Sequence, residues 1–231
     1  MSVSELWARA TAASDPASLT VVLATAAAVL VVLATPRLWL LARHLLTIVH
    51  EGSHAGVALL TGRRLSGIRL HADTSGLTVS VGPARGPGMV ATAFAGYVGP
   101  ALAGLGAAWL LSRGHAAAVL WLLLVLVAVM LVAIRNLYGL WTLLVAGVVL
   151  GLVTWYLDPQ PWAHAVAWFF LLGAPRAVIE LARTRRRSRT SDADTLARLT
   201  HLPAWVWVGV FGAVCLAAAA VGAVLLVGAA A

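Results

Sequence analysis

His50-Glu51-Gly52-Ser53-His54 has the types and spacing of a metal-dependent hydrolase motif, H-E-x-x-H. Residues four apart on a helix share a face, so both imidazoles can grip one zinc ion. The adjoining carboxylate of Glu51 can take a proton from a water bound there, whose pKa zinc brings down to about 7. The expected roles are therefore metal ligation for His50 and His54 and general base for Glu51. H-E-x-x-H is a short and weak pattern by chance alone, and the lesser alternative is a polar packing stripe between helices without metal. Its setting raises its weight. Each ionisable residue in a membrane helix costs about 2.5–3.5 kcal/mol on insertion scales, and three fall here within five positions. His44 and Thr47 extend the polar stripe, with Arg43 nearby. Such a stripe faces a bundle interior or a water-filled cavity.

The motif must be carried by membrane helices. Of the 231 residues, 61% are hydrophobic and 10% charged, with mean hydropathy +0.94. Soluble domains carry about 25% charged residues, so the bilayer is the expected solvent. Apolar runs at 18–35, 38–61, 88–112, 116–134, 137–157, 161–182 and 203–229 suggest about seven transmembrane helices. Pro36, Arg113-Gly114 and Asp158-Pro159-Gln160-Pro161 separate some of them, while 134 and 137 are joined with almost no loop. Residues 65–83 differ. Apolar and polar side chains alternate around Asp73-Thr74-Ser75-Gly76, the pattern of a short β-hairpin at the cytoplasmic surface or folded back on the helices. The fold class expected is an all-α polytopic membrane protein with a β-hairpin after the second helix. Residues 1–17 form an N-terminal segment, and 18–231 form a single membrane-embedded domain.

The net charge of +8 comes wholly from arginine. These arginines lie in short segments between apolar runs, which fits membrane topology and not nucleic-acid binding. Arg183, Arg185, Arg186, Arg187 and Arg189 mark loop 183–200 as cytoplasmic. Counting back through seven spans puts the N-terminus inside, the C-terminus outside, and Arg37, Arg43 and Arg113 toward the outside. His54 then lies about 12 Å below the cytoplasmic boundary. The lone Cys215 rules out an intrachain disulfide and a cysteine-based zinc site.

A catalytic zinc takes three protein ligands and a water. The candidates for the third are Asp73, Glu180, Asp192 and Asp194, Asp158 being on the wrong side by topology. Ser191-x-x-Asp194 has the form of a capping box, which leaves Asp192 the freer carboxylate and the preferred ligand.

These stretches resemble the site-2 protease family of intramembrane zinc metallopeptidases, and within it a compact bacterial group. The resembling residues are HEGSHAGVALLTGRRLSGIRLHADTSG at 50–76, AGYVGPALAG at 95–104, RNLYGL at 135–140 and SDADTLARLTHLPAW at 191–205. The resemblance implies cleavage of a peptide bond in or beside a membrane segment, in a multi-pass protein of the bacterial plasma membrane. It implies zinc on His50 and His54, Glu51 as base, and Asp192 where the compact group shows a recurring acid. Gly99-Pro100 resembles the family's Gly-Pro element. The asparagine that usually follows it is missing, and Asn136 is a candidate to supply an amide to the substrate. The usual Leu-Asp-Gly or Asn-Pro-x-x-Asp-Gly signature is also absent. The expected partners are a transmembrane or membrane-proximal protein substrate and the lipid bilayer. A catalytically inactive pseudoprotease or membrane scaffold is the alternative.

Overall fold

A computed structural model describes residues 2–185 and 190–230, so part of the basic run, 186–189, lies outside the described residues. The elements in chain order are α1 (Val3–Thr11), α2 (Leu19–Ala34), α3 (Pro36–Leu60), β1 (Arg64–Leu70), β2 (Gly76–Val81), α4 (Pro87–Ser112), α5 (Ala116–Ala133), α6 (Leu137–Tyr156), α7 (Pro159–Thr184), α8 (Asp192–Thr200) and α9 (Ala204–Gly228).

Each of the seven apolar runs is a helix, but seven independent spans are not what results. Among the described residues, α4, α5, α6, α7 and α9 are long and apolar enough to cross a bilayer alone. Helices α2 and α3 qualify only together, as a pair bent by 107°, giving at most six spans. The reason lies in their residues. The 16 residues of α2 rise about 24 Å, short of a hydrocarbon core of about 30 Å. Pro36 at the start of α3 ends the α2 hydrogen-bond ladder, with Thr35 held extended. Helix α3 then spends its length on His50, Glu51, His54 and two arginines.

The packing also sets which segments share an end of the helix bundle. Ser14 donates its backbone N–H to Gly114 at 2.8 Å, and Gln160 reaches Ser14 Oγ at 3.1 Å. Ala17, Leu111, His164, Leu226 and Ala230 surround one small cavity at the same end. The described chain therefore starts and finishes at one end of the bundle. The hairpin, Arg185 and α8 lie at the other. The N-terminal segment thus packs at the opposite end of the bundle from Arg185 and the hairpin.

The two strands pair antiparallel, from Arg64 opposite Val81 to Leu70 opposite Gly76, with an irregularity between Leu65 and Gly67. Ile68 and Leu70 of β1 are buried with Ile48, Val127, Met130 and Leu143 in a small core beneath the hairpin. The outer edge of β1 is covered by the α5–α6 junction: Ile134 bridges Ile68 in parallel, and Arg135 N–H donates to the Ile68 carbonyl at 2.8 Å. That explains why 134–136 is extended with almost no loop. Asn136 completes the edge. It receives the Leu70 N–H at 3.1 Å and donates its amide to the Leu70 carbonyl at 2.7 Å. Its amide is thereby committed to the sheet, which corrects its expected role toward the substrate.

In β2 the alternation runs the other way from that of a soluble hairpin. Leu77, Val79 and Val81 are exposed, while Gly76, Thr78 and Ser80 turn toward α3 and its cavity. An apolar outer face and a hydroxyl-lined inner face suit a strand with lipid on one side and water on the other.

Candidate metal centre

Helix α3 places His50 and His54 one turn apart, their rings edge to face at a centroid separation of 4.7 Å and 83°. His54 Nδ1 lies 2.6 Å from the Thr92 carbonyl of α4. A carbonyl only accepts, so Nδ1 carries a hydrogen and the ring turns Nε2 toward the site, where its neutral form offers a lone pair. Helix α8 starts at Asp192. Ser191 caps it in a full capping box, in which Ser191 Oγ accepts the Asp194 N–H and Asp194 receives the Ser191 N–H at 3.1 Å. Asp194 is tied further to Arg185 at 2.8 Å. Burial favours its neutral form, but those bonds from Arg185 and Ser191 prevail and hold its carboxyl below the usual range. With Asp194 spent on the cap, Asp192 is left to project inward.

Three atoms meet there. His50 Nε2 and His54 Nε2 are 3.2 Å apart. Asp192 Oδ2 is 3.3 Å from the first and 3.2 Å from the second. Three such atoms come this close either around a shared proton or around a cation. Burial acts against the Asp192 charge, yet the neighbouring imidazoles of His54 and His50 hold its carboxyl well below the usual range. A tetrahedral zinc with bonds of about 2.0–2.1 Å sets its ligand atoms about 3.3–3.4 Å apart. The triangle matches that edge to about 0.2 Å. Two nitrogens and a carboxylate oxygen are zinc donors, and the set leaves a fourth position open, so the residues present fit the ion.

Glu51 stands beside the triangle. Its side chain is 3% exposed, and its Oε2 accepts from Thr78 Oγ1 at 2.6 Å. Gly76 of β2 lies against the same carboxylate so closely that a Cβ there would overlap it. Thr47 Oγ1 donates to the Thr74 carbonyl at 2.8 Å and pins the hairpin turn to α3. Thr74 sits in the left-handed region at φ +66°, which a β-branched residue rarely adopts. These residues, with Arg43, Tyr97 and Asp192, line a cavity of about 610 Å³.

The other acids are engaged elsewhere. Asp73 accepts the Ser75 hydroxyl at 2.6 Å and the Ser75 N–H at 3.0 Å, which keep its carboxyl below its ordinary range. Glu180 takes the Trp39 indole N–H at 2.7 Å and pairs with Arg43 at 3.4 Å. Arg43 thus lines the cavity wall. His44 turns away to Tyr138, 2.9 Å from its hydroxyl. Sequence reasoning missed Thr78, Thr92 and Gly96. The first two bond to the motif through a hydroxyl and a carbonyl that any residue pattern conceals. Gly96 carries no side chain to signal a role, yet a Cβ on it would overlap the His54 ring and come within 2.7 Å of His50 Cε1.

The model of the family described as peptidase M50B-like matches residues 22–222, from α2 through most of α9. The chain belongs to the peptidase M50B-like family. This agrees with the site-2 protease resemblance and makes the chain a relative of membrane metallopeptidases. Comparisons with curated proteins and with solved structures match nothing. The family match takes in α3, the hairpin, α4 and α8, and so every element that contributes to the His50–His54–Asp192 triangle.

Proposed function

We propose that the chain is a zinc-dependent endopeptidase that cleaves a peptide segment within or beside the membrane. The observation that carries this reading is the donor triangle of zinc dimensions with the Glu51 carboxylate alongside in one cavity. His50, His54 and Asp192 would hold the ion, and Glu51 would be the general base. When bound, zinc supplies Lewis-acid polarisation and an acidified water. Glu51 takes the proton of the attacking water and passes it to the leaving nitrogen. Thr78 fixes the carboxylate that does so.

A helical substrate hides its carbonyls and must unwind to be cut. Among the described residues no strand pairs with the outer edge of β2, and that edge borders the cavity. An extended substrate would add to it by β-augmentation. With Arg183 and Arg185 at the cavity end, the positive-inside rule puts the cavity on the cytoplasmic side of the plasma membrane and the described chain ends opposite.

The test uses detergent-solubilised, zinc-loaded protein and fluorescently labelled casein, an unstructured chain that needs no unwinding. Cleavage by the wild type that Glu51→Gln abolishes while keeping its zinc supports the proposal. A zinc-loaded wild type that is inert favours the scaffold reading.

A further inference from the structure

Helix α4 brings two adjacent residues to the metal centre. Gly96 makes room for the imidazoles, and Tyr97 follows it. The Tyr97 ring meets His50 edge to face, with centroids 4.9 Å apart at 88°. Its other side stacks on Phe211 of α9 at 5.2 Å and 24°. Phe211 is fully buried, so the ring plane is set from both sides. Aromatic contacts of these two kinds fix geometry as well as burying area.

The hydroxyl is placed differently from the ring. Tyr97 lines the cavity together with His50, His54, Glu51 and Asp192. No hydrogen bond to its O–H is found among the described residues. A largely buried tyrosine hydroxyl normally finds a partner. The charged groups around this one are Asp192, Arg43, Glu180 and Glu51. Asp192 belongs to the metal triangle, Glu51 is held by Thr78, and Arg43 and Glu180 neutralise each other. The Tyr97 ring is thus in van der Waals range of the His50 ring, and the residue forms part of the cavity wall.

We propose that Tyr97 is a catalytic residue whose O–H donates to the scissile carbonyl oxygen as that oxygen gains charge. This rests on the peptidase reading above. Water oxygen bonds to the carbonyl carbon, the π pair moves onto the carbonyl oxygen, and the water proton goes to Glu51. When that pair returns, the C–N bond breaks, and the proton held by Glu51 goes to the departing nitrogen. The products are a carboxylate and an amine. Tyr97 keeps its own proton throughout and contributes only a directed hydrogen bond, strongest at the tetrahedral stage.

Tyr97→Phe is the test, because it retains the ring contacts with His50 and Phe211 and deletes one oxygen. In the zinc-loaded protein, kcat on fluorescent casein should fall about 10²-fold, the scale of losing one oxyanion donor, with KM within about twofold. Zinc content and melting temperature should be unchanged. A phosphinic peptide, whose tetrahedral phosphorus carries an anionic oxygen, should bind Tyr97→Phe more weakly by a similar factor. The amide peptide of the same sequence should bind Glu51→Gln equally well with and without the Tyr97 hydroxyl. A Tyr97→Phe protein that cleaves at the wild-type kcat, or that loses zinc, overturns the role. A wild type that takes up no zinc overturns the peptidase reading and this role with it.

Discussion

Thr78 Oγ1 stands 2.6 Å from Glu51 Oε2, so a strand that returns across the cavity holds the carboxylate of the zinc-motif helix. The hairpin is thus part of the proposed catalytic arrangement as well as a wall. Thr78→Val keeps the shape and removes the hydroxyl. It should lower kcat about 10-fold through a mispositioned base, with KM and zinc content unchanged, on the scale of a weakened general-base contribution. Thr78→Ser should restore most of the rate. Steady-state cleavage of fluorescent casein by the three proteins decides it, and equal rates would contradict the contact's importance.

Glu51→Gln should retain zinc, because Glu51 is not one of the converging donors. It should lose about 10²–10⁴-fold in kcat, the usual contribution of a positioned general base. Metal analysis and cleavage measured on one preparation separate ligation from chemistry.

Gly96→Ala adds a single methyl where the His54 and His50 rings already sit. Backbone on α4 cannot retreat without disturbing the Thr92 carbonyl that orients His54. Zinc affinity should fall by 10-fold or more, in the range seen when partners that orient a ligand are lost. Gly106→Ala on the same helix meets nothing within 4 Å and serves as the control. It should bind zinc like the wild type and gain up to about 1 kcal/mol from better helix propensity. Zinc titration with a competing chelator measures both.

Thr74 holds φ +66° with its hydroxyl buried and unpaired. Thr74→Gly should remove about 1–2 kcal/mol of backbone strain while leaving the Thr47 bond to the residue 74 carbonyl intact. The unfolding midpoint in detergent should rise by a few degrees, less the entropy cost of a glycine in the unfolded chain. A fall would show that the turn is not strained.

Much of the centre was legible in the sequence because its parts are local. H-E-x-x-H needs only helical periodicity, and Ser191-x-x-Asp194 announces a helix start that frees Asp192. The alternating residues at 65–83 likewise mark two strands. What sequence could not supply was long-range. Apolar length alone counted α2 and α3 as two spans, whereas the break at Pro36 and the short α2 make them at most one. Packing also sets the chain start at the opposite end of the bundle from Arg185 and lines the cavity with Arg43. Asn136 looked like a substrate amide because its type suits that task, but the β1 edge claims both of its functions. Gly96 and Tyr97 lie in a stretch whose helical setting was clear, yet only the crossing of α3 and α4 shows that they abut the imidazoles.

The central claim is one ion held by His50, His54 and Asp192. Elemental analysis of purified wild type beside His50→Ala, His54→Ala and Asp192→Ala tests it most directly. The prediction is one zinc per chain in the wild type, and less than a tenth of that in each variant at equal folded fraction. Stoichiometric zinc that survives Asp192→Ala, or a folded wild type that takes up none, would contradict it.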